Sequence, residues 1–356
     1  MIFEGRTILV TGGTGSMGKT FVRRVLSGEC GTPKKVIVFS RDEAKQHEMR
    51  MSYLHRCVAT DEVIYRNFMH VLEFRIGDVR SYQDVRSAVR GVDFVVNAAA
   101  LKQVPTCEYF PAQAVMTNCL GASNIVRAVE EGGFGVDTVV GISTDKACKP
   151  VNVMGMSKAI QERIFTAANV LSGGTRFITV RYGNVLASRG SVIPLFLDQI
   201  RNGGPVTVTA EPMTRFLISL DDAVDTVFAA IAGALPGETY VPEARAATVV
   251  NIARALVGSR RIAVKITGIR PGEKMHEVMV SDEEVHHTVR RGNYLVIRSM
   301  LPELNQARET AANALSAEFS SAERVLSFGE TVALLQRHRL MPDDHPPGTS
   351  AGEFLC

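Results

Sequence analysis

Ile8-Leu9-Val10-Thr11-Gly12-Gly13-Thr14-Gly15-Ser16-Met17-Gly18 is the stretch whose reading decides the fold. The apolar run led by Thr7 reads as a buried strand, and Gly18 to Leu26 reads as an amphipathic helix. Glycines at a strand-to-helix turn let the backbone approach a pyrophosphate. The free N–H groups and positive dipole end of the helix then receive the anion. A glycine-rich turn alone is a weak signal. The second strand that follows, Val36 to Phe39, turns it into a dinucleotide site. Gly12, Thr14, Gly15, Ser16, Met17 and Gly18 are the residues expected to line it.

Outward from this turn the same rhythm repeats. Leu72 to Phe74, Val92 to Val96, Thr138 to Ile142 and Phe177 to Val180 read as further strands, with helical pieces at Ser81 to Arg90 and Gly121 to Glu131 between them. Near-continuous apolar strands separated by helices imply a parallel sheet covered on both faces. The fold class is therefore α/β: a Rossmann-like doubly wound parallel sheet with a smaller C-terminal substrate-binding lobe. The sheet domain is expected over 1–182, with 214–245 packing back on it through a helix at Leu220 to Ile231. The lobe and C-terminal extension follow over 183–340, where Pro194, Pro205, Pro212, Pro236 and Pro242 punctuate shorter elements. Residues 341–356, rich in Pro, Gly and Asp, read as a disordered tail. The long connection from Arg41 to His70 contains one helical stretch, DEAKQHEMRMSYLHR.

A formal net charge of +3 is too small to mark a nucleic-acid-binding surface. Six cysteines without a CxxC pair fit thiols in a reducing compartment better than disulfides or zinc. The N-terminal apolar run is too short for a signal peptide, and no stretch reaches the ~20 apolar residues of a membrane span. A soluble, cytoplasmic protein without nucleic-acid or membrane partners is expected. His286-His287 beside Glu283-Glu284 invites a metal reading, but adjacent side chains diverge, so a solvated helix and no metal are expected. Cys107, Cys119 and Cys148 read as small apolar fillers.

Ligands of doubly wound sheets bind beyond the carboxyl ends of the strands, so residues there carry the chemistry. The second strand ends in Ser40-Arg41, where an enzyme using NAD usually places an acid against the ribose 2′-hydroxyl. A small serine followed by a cation leaves room and charge for the 2′-phosphate of NADP, although Asp42 follows and Arg41 could be a solvated loop charge. NADP is the cofactor expected, ahead of NAD. Asp78-Val79 follows the third strand, with Asp78 placed to accept from the adenine amino group. Ala98-Ala99-Ala100 follows the fourth, small enough for the ribose and nicotinamide to lie close.

After the fifth strand comes Ser143-Thr144-Asp145-Lys146-Ala147-Cys148-Lys149-Pro150 and then Val151-Asn152-Val153-Met154-Gly155-Met156-Ser157-Lys158. In the reductase superfamily that this arrangement resembles, a tyrosine and a lysine at i, i+4 share one helix face. Here Lys158 is present, but Met154 stands in the tyrosine's place, and a thioether carries no proton. Asp145-Lys146 is either a surface ion pair or an acid–base couple; its position at a strand's carboxyl end points to the couple.

SRDEAKQ, GDVRSY, NAAALKQVPTCEYFP, STDKACKPVNVMGMSK, RYGNVLASRGSVIPLF, MTRFLISLDDAV and RPGEKMHE together resemble UDP-N-acetylglucosamine 4,6-dehydratases of the extended short-chain dehydrogenase/reductase superfamily. The likeness is strongest to the configuration-inverting members of capsule and O-antigen synthesis, and runs from Phe3 to about Leu335. One departure is Asn97, where that family usually has histidine. The resemblance implies a redox-neutral cycle on a UDP-N-acetylhexosamine: oxidation at carbon 4, loss of the carbon-5 proton to Lys146 and protonation of the departing carbon-6 hydroxyl by Asp145. Reduction at carbon 6 and reprotonation of carbon 5 from the opposite face complete it. Thr144 would orient the carbon-4 hydroxyl and Lys158 would supply positive charge. It also implies nucleotide contacts from Arg215, Arg270 and Glu273, and a homo-oligomer. Asn184, Arg189, Ser191 and Val192, just past the sixth strand, are further substrate candidates; Lys102 either faces the sugar or reaches solvent. A retaining dehydratase and a UDP-sugar epimerase on the same scaffold remain as rivals, as does a non-catalytic NADP-sensing scaffold, for which Met154 is the best argument.

Overall fold

The computed structural model describes residues 1–54, 61–186, 188, 190–305 and 312–344. Six strands in the first half, β1 (Thr7–Thr11), β2 (Lys35–Ser40), β3 (Leu72–Ile76), β4 (Phe94–Asn97), β5 (Thr138–Thr144) and β6 (Arg176–Tyr182), pair in parallel in the order β3-β2-β1-β4-β5-β6. This is the doubly wound arrangement expected, with its switch point between β1 and β4. Side chains alternate across the sheet: Ile8, Val10, Val36, Val38 and Val96 enter one core with Phe21 and Phe228, whereas Leu9, Ile37, Phe39 and Val95 enter the other with Ile125 and Phe165. Helices therefore cover both faces, which is why the strands read as unbroken apolar runs.

β4 begins at Phe94 because Val92 lies in the preceding turn, and β5 runs two residues beyond the expected Ile142, since Ser143 and Thr144 still pair with Arg181 and Tyr182 of β6. The connection between β2 and β3 holds two helices, Glu43–Leu54 and Asp61–Val71, where one was expected.

Past β6 the chain builds the lobe and returns to the sheet. Thr239–Pro242 joins β6 in parallel; the hairpin Thr288–Arg291 with Tyr294–Ile297 then extends the sheet to nine strands, so more of the C-terminal half reaches it than 214–245. The helix Leu220–Gly233 packs against the helix Ser16–Leu26 through Phe228 and Phe21. The lobe has its own core, in which Ile193, Phe196, Leu197, Val206, Ile252, Leu256 and Leu335 meet. Met341 to Asp344, the start of the expected tail, is placed, with Asp343 paired to Arg260; residues 345–356 lie outside the described residues. No helix among the described residues is long and apolar enough to cross a membrane.

One buried ion cluster joins sheet and lobe. Arg181 of β6 bonds Glu162 at 2.7 Å, Glu284 at 2.7 Å and the Met279 carbonyl at 2.7 Å, while Ser143 donates to Glu162. Glu284 is thus buried, not on the solvated helix face expected for Glu283-Glu284-His286-His287. The Ser281 capping box turns Glu284 back toward Arg181.

Candidate active site

Gly15 precedes the helix Ser16–Leu26 as its N-cap without any side-chain bond, leaving the first turn's N–H groups for a ligand. Gly12 has φ +64°, and a Cβ on it would lie 2.7 Å from the Ala99 backbone, so only glycine lets this turn meet the Ala98-Ala99-Ala100 segment. Ala98 donates to the Thr11 carbonyl at 3.1 Å, and Thr11 Oγ1 donates to Asn97 at 2.7 Å. Asn97, standing where the family usually has histidine, is buried with its Oδ1 taken by that bond. Thr14 is buried in the turn, and Met17 packs on the core.

At the end of β2, Ser40 Oγ accepts from Gln46 at 3.0 Å and Arg41 is 51% exposed on its side chain. Asp42 is occupied locally: its carboxylate accepts from Lys45 N at 3.0 Å and pairs with the Lys45 amine. No acid therefore takes the place at Ser40. Asp78 lies within 3.6 Å of Arg41 and accepts from Arg80 at 2.6 Å, which holds its carboxyl below the usual range against the opposing effect of burial. Val79 is buried, and its carbonyl accepts from Asn124 at 2.9 Å.

The centre is built where β5 runs into a 3₁₀ turn, Asp145–Ala147. Asp145 is 0% exposed; its Oδ1 accepts from Thr144 Oγ1 at 2.9 Å and from Lys146 Nζ at 3.0 Å, while Oδ2 has no partner. Burial, reinforced by the charge of Glu277, pushes the Asp145 carboxyl up, with Lys146 only partly opposing. Lys146, 19% exposed on its side chain, also pairs with Glu277 at 3.0 Å and approaches Asn184 Oδ1 at 3.5 Å. Burial favours the neutral amine, but the two carboxylates outweigh it and hold the Lys146 pKa above its usual value.

The helix Val153–Leu171 is docked onto this turn by Gly155, whose missing Cβ would sit 2.2 Å from the Lys146 carbonyl oxygen. Asn152 caps that helix through Gly155 N at 2.8 Å and donates to the Gly272 carbonyl at 2.8 Å, so one side chain fixes both the helix and the Arg270–Lys274 segment. Met154 is buried against Cys107, Ala114 and Leu101. One turn on, Lys158 donates to the Ile142 carbonyl and to Gln161 at 2.8 Å, and burial brings its pKa down to about 8.

The lobe residues divide. Ser191 begins the helix Val192–Arg201, which has no side-chain cap, and Ser191 Oγ is buried without a partner. Gly190 beside it approaches Gln103, which brings this end next to Lys102, exposed on the loop after β4. Arg270 is exposed; Glu273 closes the same turn by accepting from Arg270 N at 3.4 Å. Arg215 is buried and bonds the carbonyls of Thr214 at 2.7 Å, Lys274 at 3.0 Å and Met275 at 3.2 Å, so it braces the segment that carries Arg270 and Glu273. Arg189 lies outside the described residues.

Three residues of this centre were not singled out from sequence: Asn152, Gly155 and Glu277. Each stands inside a quoted motif, which was the available signal; nothing local distinguished them from their neighbours.

Residues 8–299 match the model of a family described as polysaccharide biosynthesis protein. A UDP-N-acetylglucosamine 4,6-dehydratase (inverting) of Campylobacter jejuni is 40% identical over 357 residues, covering 99% of this chain and 97% of that one. A UDP-glucose 4-epimerase of Rickettsia typhi is 43% identical over 313 residues, covering 86% of this chain and 87% of that one. Among solved structures, Pen from Bacillus thuringiensis superposes with a TM-score of 0.85 at 32% identity, over 96% of this chain and all of that one. A dTDP-glucose 4,6-dehydratase from Streptomyces venezuelae, at 23% identity and TM-score 0.63 over 76% of this chain and 86% of that one, shares the fold. The chain belongs to this polysaccharide-biosynthesis family of extended short-chain dehydrogenase/reductase enzymes.

Proposed function

We propose that the protein removes water from a UDP-N-acetylhexosamine, UDP-N-acetylglucosamine foremost, to give a UDP-2-acetamido-2,6-dideoxy-4-hexulose with inversion at carbon 5. The observation that carries this reading is the Asp145–Lys146 couple: a fully buried carboxyl held toward its acid form, with an amine 3.0 Å away at the carboxyl end of β5. Loss of water needs a proton removed beside a ketone and a proton given to a departing hydroxyl. Lys146 does the first and Asp145 the second. Thr144, beside both, orients the carbon-4 hydroxyl, and Lys158 adds positive charge where an enolate develops.

A nicotinamide dinucleotide supplies the reversible oxidation at carbon 4 and reduction at carbon 6. The uncapped helix behind Gly15, the close Gly12–Ala99 approach and the alanine floor fit that group. Ser40, exposed Arg41 and the occupied Asp42 support NADP over NAD. The substrate's diphosphate fits the free N-terminus of the helix Val192–Arg201, with the unpartnered Ser191 hydroxyl and Val192 N–H there, and Asn184 serves the sugar from beside Lys146. Arg270 and Glu273 grip the nucleotide, and Lys102 faces the sugar.

The Rickettsia typhi match favours a second reading, 4-epimerisation. An epimerase returns the hydrogen to the carbon that lost it and has no leaving hydroxyl to protonate, so a buried carboxyl biased toward its acid form would have no such task. Mass spectrometry of a reaction with UDP-N-acetylglucosamine and NADP⁺ separates them. Loss of one water, with one solvent deuterium at carbon 5 and an inverted centre by NMR, is expected. An unchanged mass with every UDP-N-acetylhexosamine would refute the proposal.

Exposed Val115, Met116 and Leu120 stand beside exposed Met156 and Ile160 of the helix packed on them, which supports a homo-oligomer, testable by light scattering. Cys107, Cys119 and Cys148, buried and free, support a reducing, cytoplasmic setting.

A further inference from the structure

Lys146 lies between two carboxylates, 3.0 Å from Asp145 Oδ1 and 3.0 Å from Glu277 Oε1. Glu277 immediately precedes the strand Val278–Val280, outside the main sheet, and is 2% exposed. Its backbone is clamped: N donates to Ser321 Oγ at 2.9 Å and O accepts from Ser321 N at 2.8 Å. The other charged groups that bear on the cluster are Arg215, 3.8 Å from Glu277 Oε1, and Lys274, whose amine donates to the Cys148 carbonyl at 2.6 Å. Glu277 Oε2, like Asp145 Oδ2, is buried without a donor. A buried carboxylate oxygen left without a donor is costly and marks a group that folding alone does not account for.

The two carboxyls are biased in opposite directions. Burial raises the Asp145 pKa and so biases its carboxyl toward the acid form; Lys146 and Arg215 overcome the same effect at Glu277 and hold it ionised. The resting amine between them is an ammonium, which has no lone pair with which to take a proton from carbon.

We propose that Glu277 is the positioning residue that makes Lys146 a base, by accepting the ammonium proton at Oε1. This rests on the dehydratase reading. The N–H bond facing Glu277 breaks as an O–H bond forms there, leaving a neutral amine. The carbon-5 hydrogen then passes to the amine lone pair, and its bonding electrons enter the enolate. Those electrons expel the carbon-6 oxygen, which leaves as water with the proton of Asp145. No further co-reactant is required.

The test is the pH profile of kcat/KM for water loss, with full-length protein, NADP⁺ and UDP-N-acetylglucosamine, for wild type, Glu277→Gln and Glu277→Asp. On the acid side, wild type should lose activity only in the carboxylate range. Glu277→Gln must shed the lysine proton to solvent, so its acid limb moves up into the amine range. Through neutrality its rate should climb about tenfold per pH unit, where wild type stays flat. Glu277→Asp should restore the flat profile. NADP⁺ and UDP affinities within about threefold of wild type show that the variant is folded, because Lys146 keeps Asp145 and Arg215 keeps its three carbonyls. A Glu277→Gln acid limb unmoved from wild type, whether the rate is equal or uniformly lower, overturns the proposal while wild-type water loss leaves the dehydratase reading standing. A wild type that releases no water sinks both.

Discussion

Replacing Gly155 by alanine tests how tightly the helix Val153–Leu171 sets the Asp145–Ala147 turn proposed to carry the chemistry. The added Cβ would stand 2.2 Å from the Lys146 carbonyl oxygen, 3.1 Å from its carbonyl carbon and 3.2 Å from Asn152 Oδ1. A carbon–oxygen contact needs at least about 3.0 Å, so turn and helix must part by ~0.8 Å. Neither neighbour is a flexible side-chain end: one is the backbone of the catalytic turn and the other the cap of the same helix. A shift of that size carries Lys146 Nζ from 3.0 Å to ~3.8 Å from Glu277, which does not move with the turn, beyond hydrogen-bond range. Misplacement on the order of 1 Å costs about 100-fold in rate, and overpacking costs about 1–3 kcal/mol of stability. The expected outcome is a loss of kcat/KM for water release near 100-fold, a melting temperature lower by several degrees, and NADP⁺ affinity within a few-fold of wild type. Turnover by mass spectrometry, thermal melts and cofactor titration read the three quantities. Wild-type turnover in Gly155→Ala would refute the claim that this approach positions Lys146.

Lys146→Ala should abolish water release while NADP⁺ stays bound, read by mass spectrometry and by cofactor titration; turnover in that variant would remove Lys146 from the chemistry. Arg41→Ala should weaken NADP⁺ about tenfold or more and leave NAD⁺ nearly unchanged, measured by calorimetry, since only the 2′-phosphate needs the cation. Arg181→Met leaves Glu162 and Glu284 buried without their cation and should cost about 3–5 kcal/mol in urea unfolding. For Lys158, burial lowers the amine from an ordinary 10.5 to about 8, a penalty of ~3 kcal/mol on the charged form. The unfolded chain holds that proton up to higher pH, so the penalty is full below about pH 8 and fades as pH rises toward 10.5. The stability difference between Lys158→Met and wild type should therefore shift in favour of wild type across that window, and a difference that does not change with pH would contradict the assignment.

The glycine turn was legible because its signal is local: strand, glycines and helix adjoin in sequence, and Gly12 makes the close approach to Ala99 that only glycine allows. Asp145 and Lys146 were legible for the same reason, being the first residues past β5. Arg215 shows the limit. A sequence cannot say which arginine faces a ligand and which braces a loop, and this one is spent on three carbonyls. Glu284 shows it again, since a residue in an acidic, histidine-flanked run reads as solvated until Arg181 is seen beneath it.

By itself, then, the sequence determined the doubly wound sheet, the glycine turn after β1 and the adjacency of Asp145 and Lys146 at the end of β5, since periodicity and adjacency are encoded along the chain. Tertiary structure alone decided that Glu277 comes from the far lobe to grip Lys146, that Asn152 joins the helix cap to the Arg270–Lys274 segment, and that Gly155 lies under the Asp145–Ala147 turn. Burial and charge partnership are properties of what surrounds a group, and those surroundings exist only once distant segments have packed.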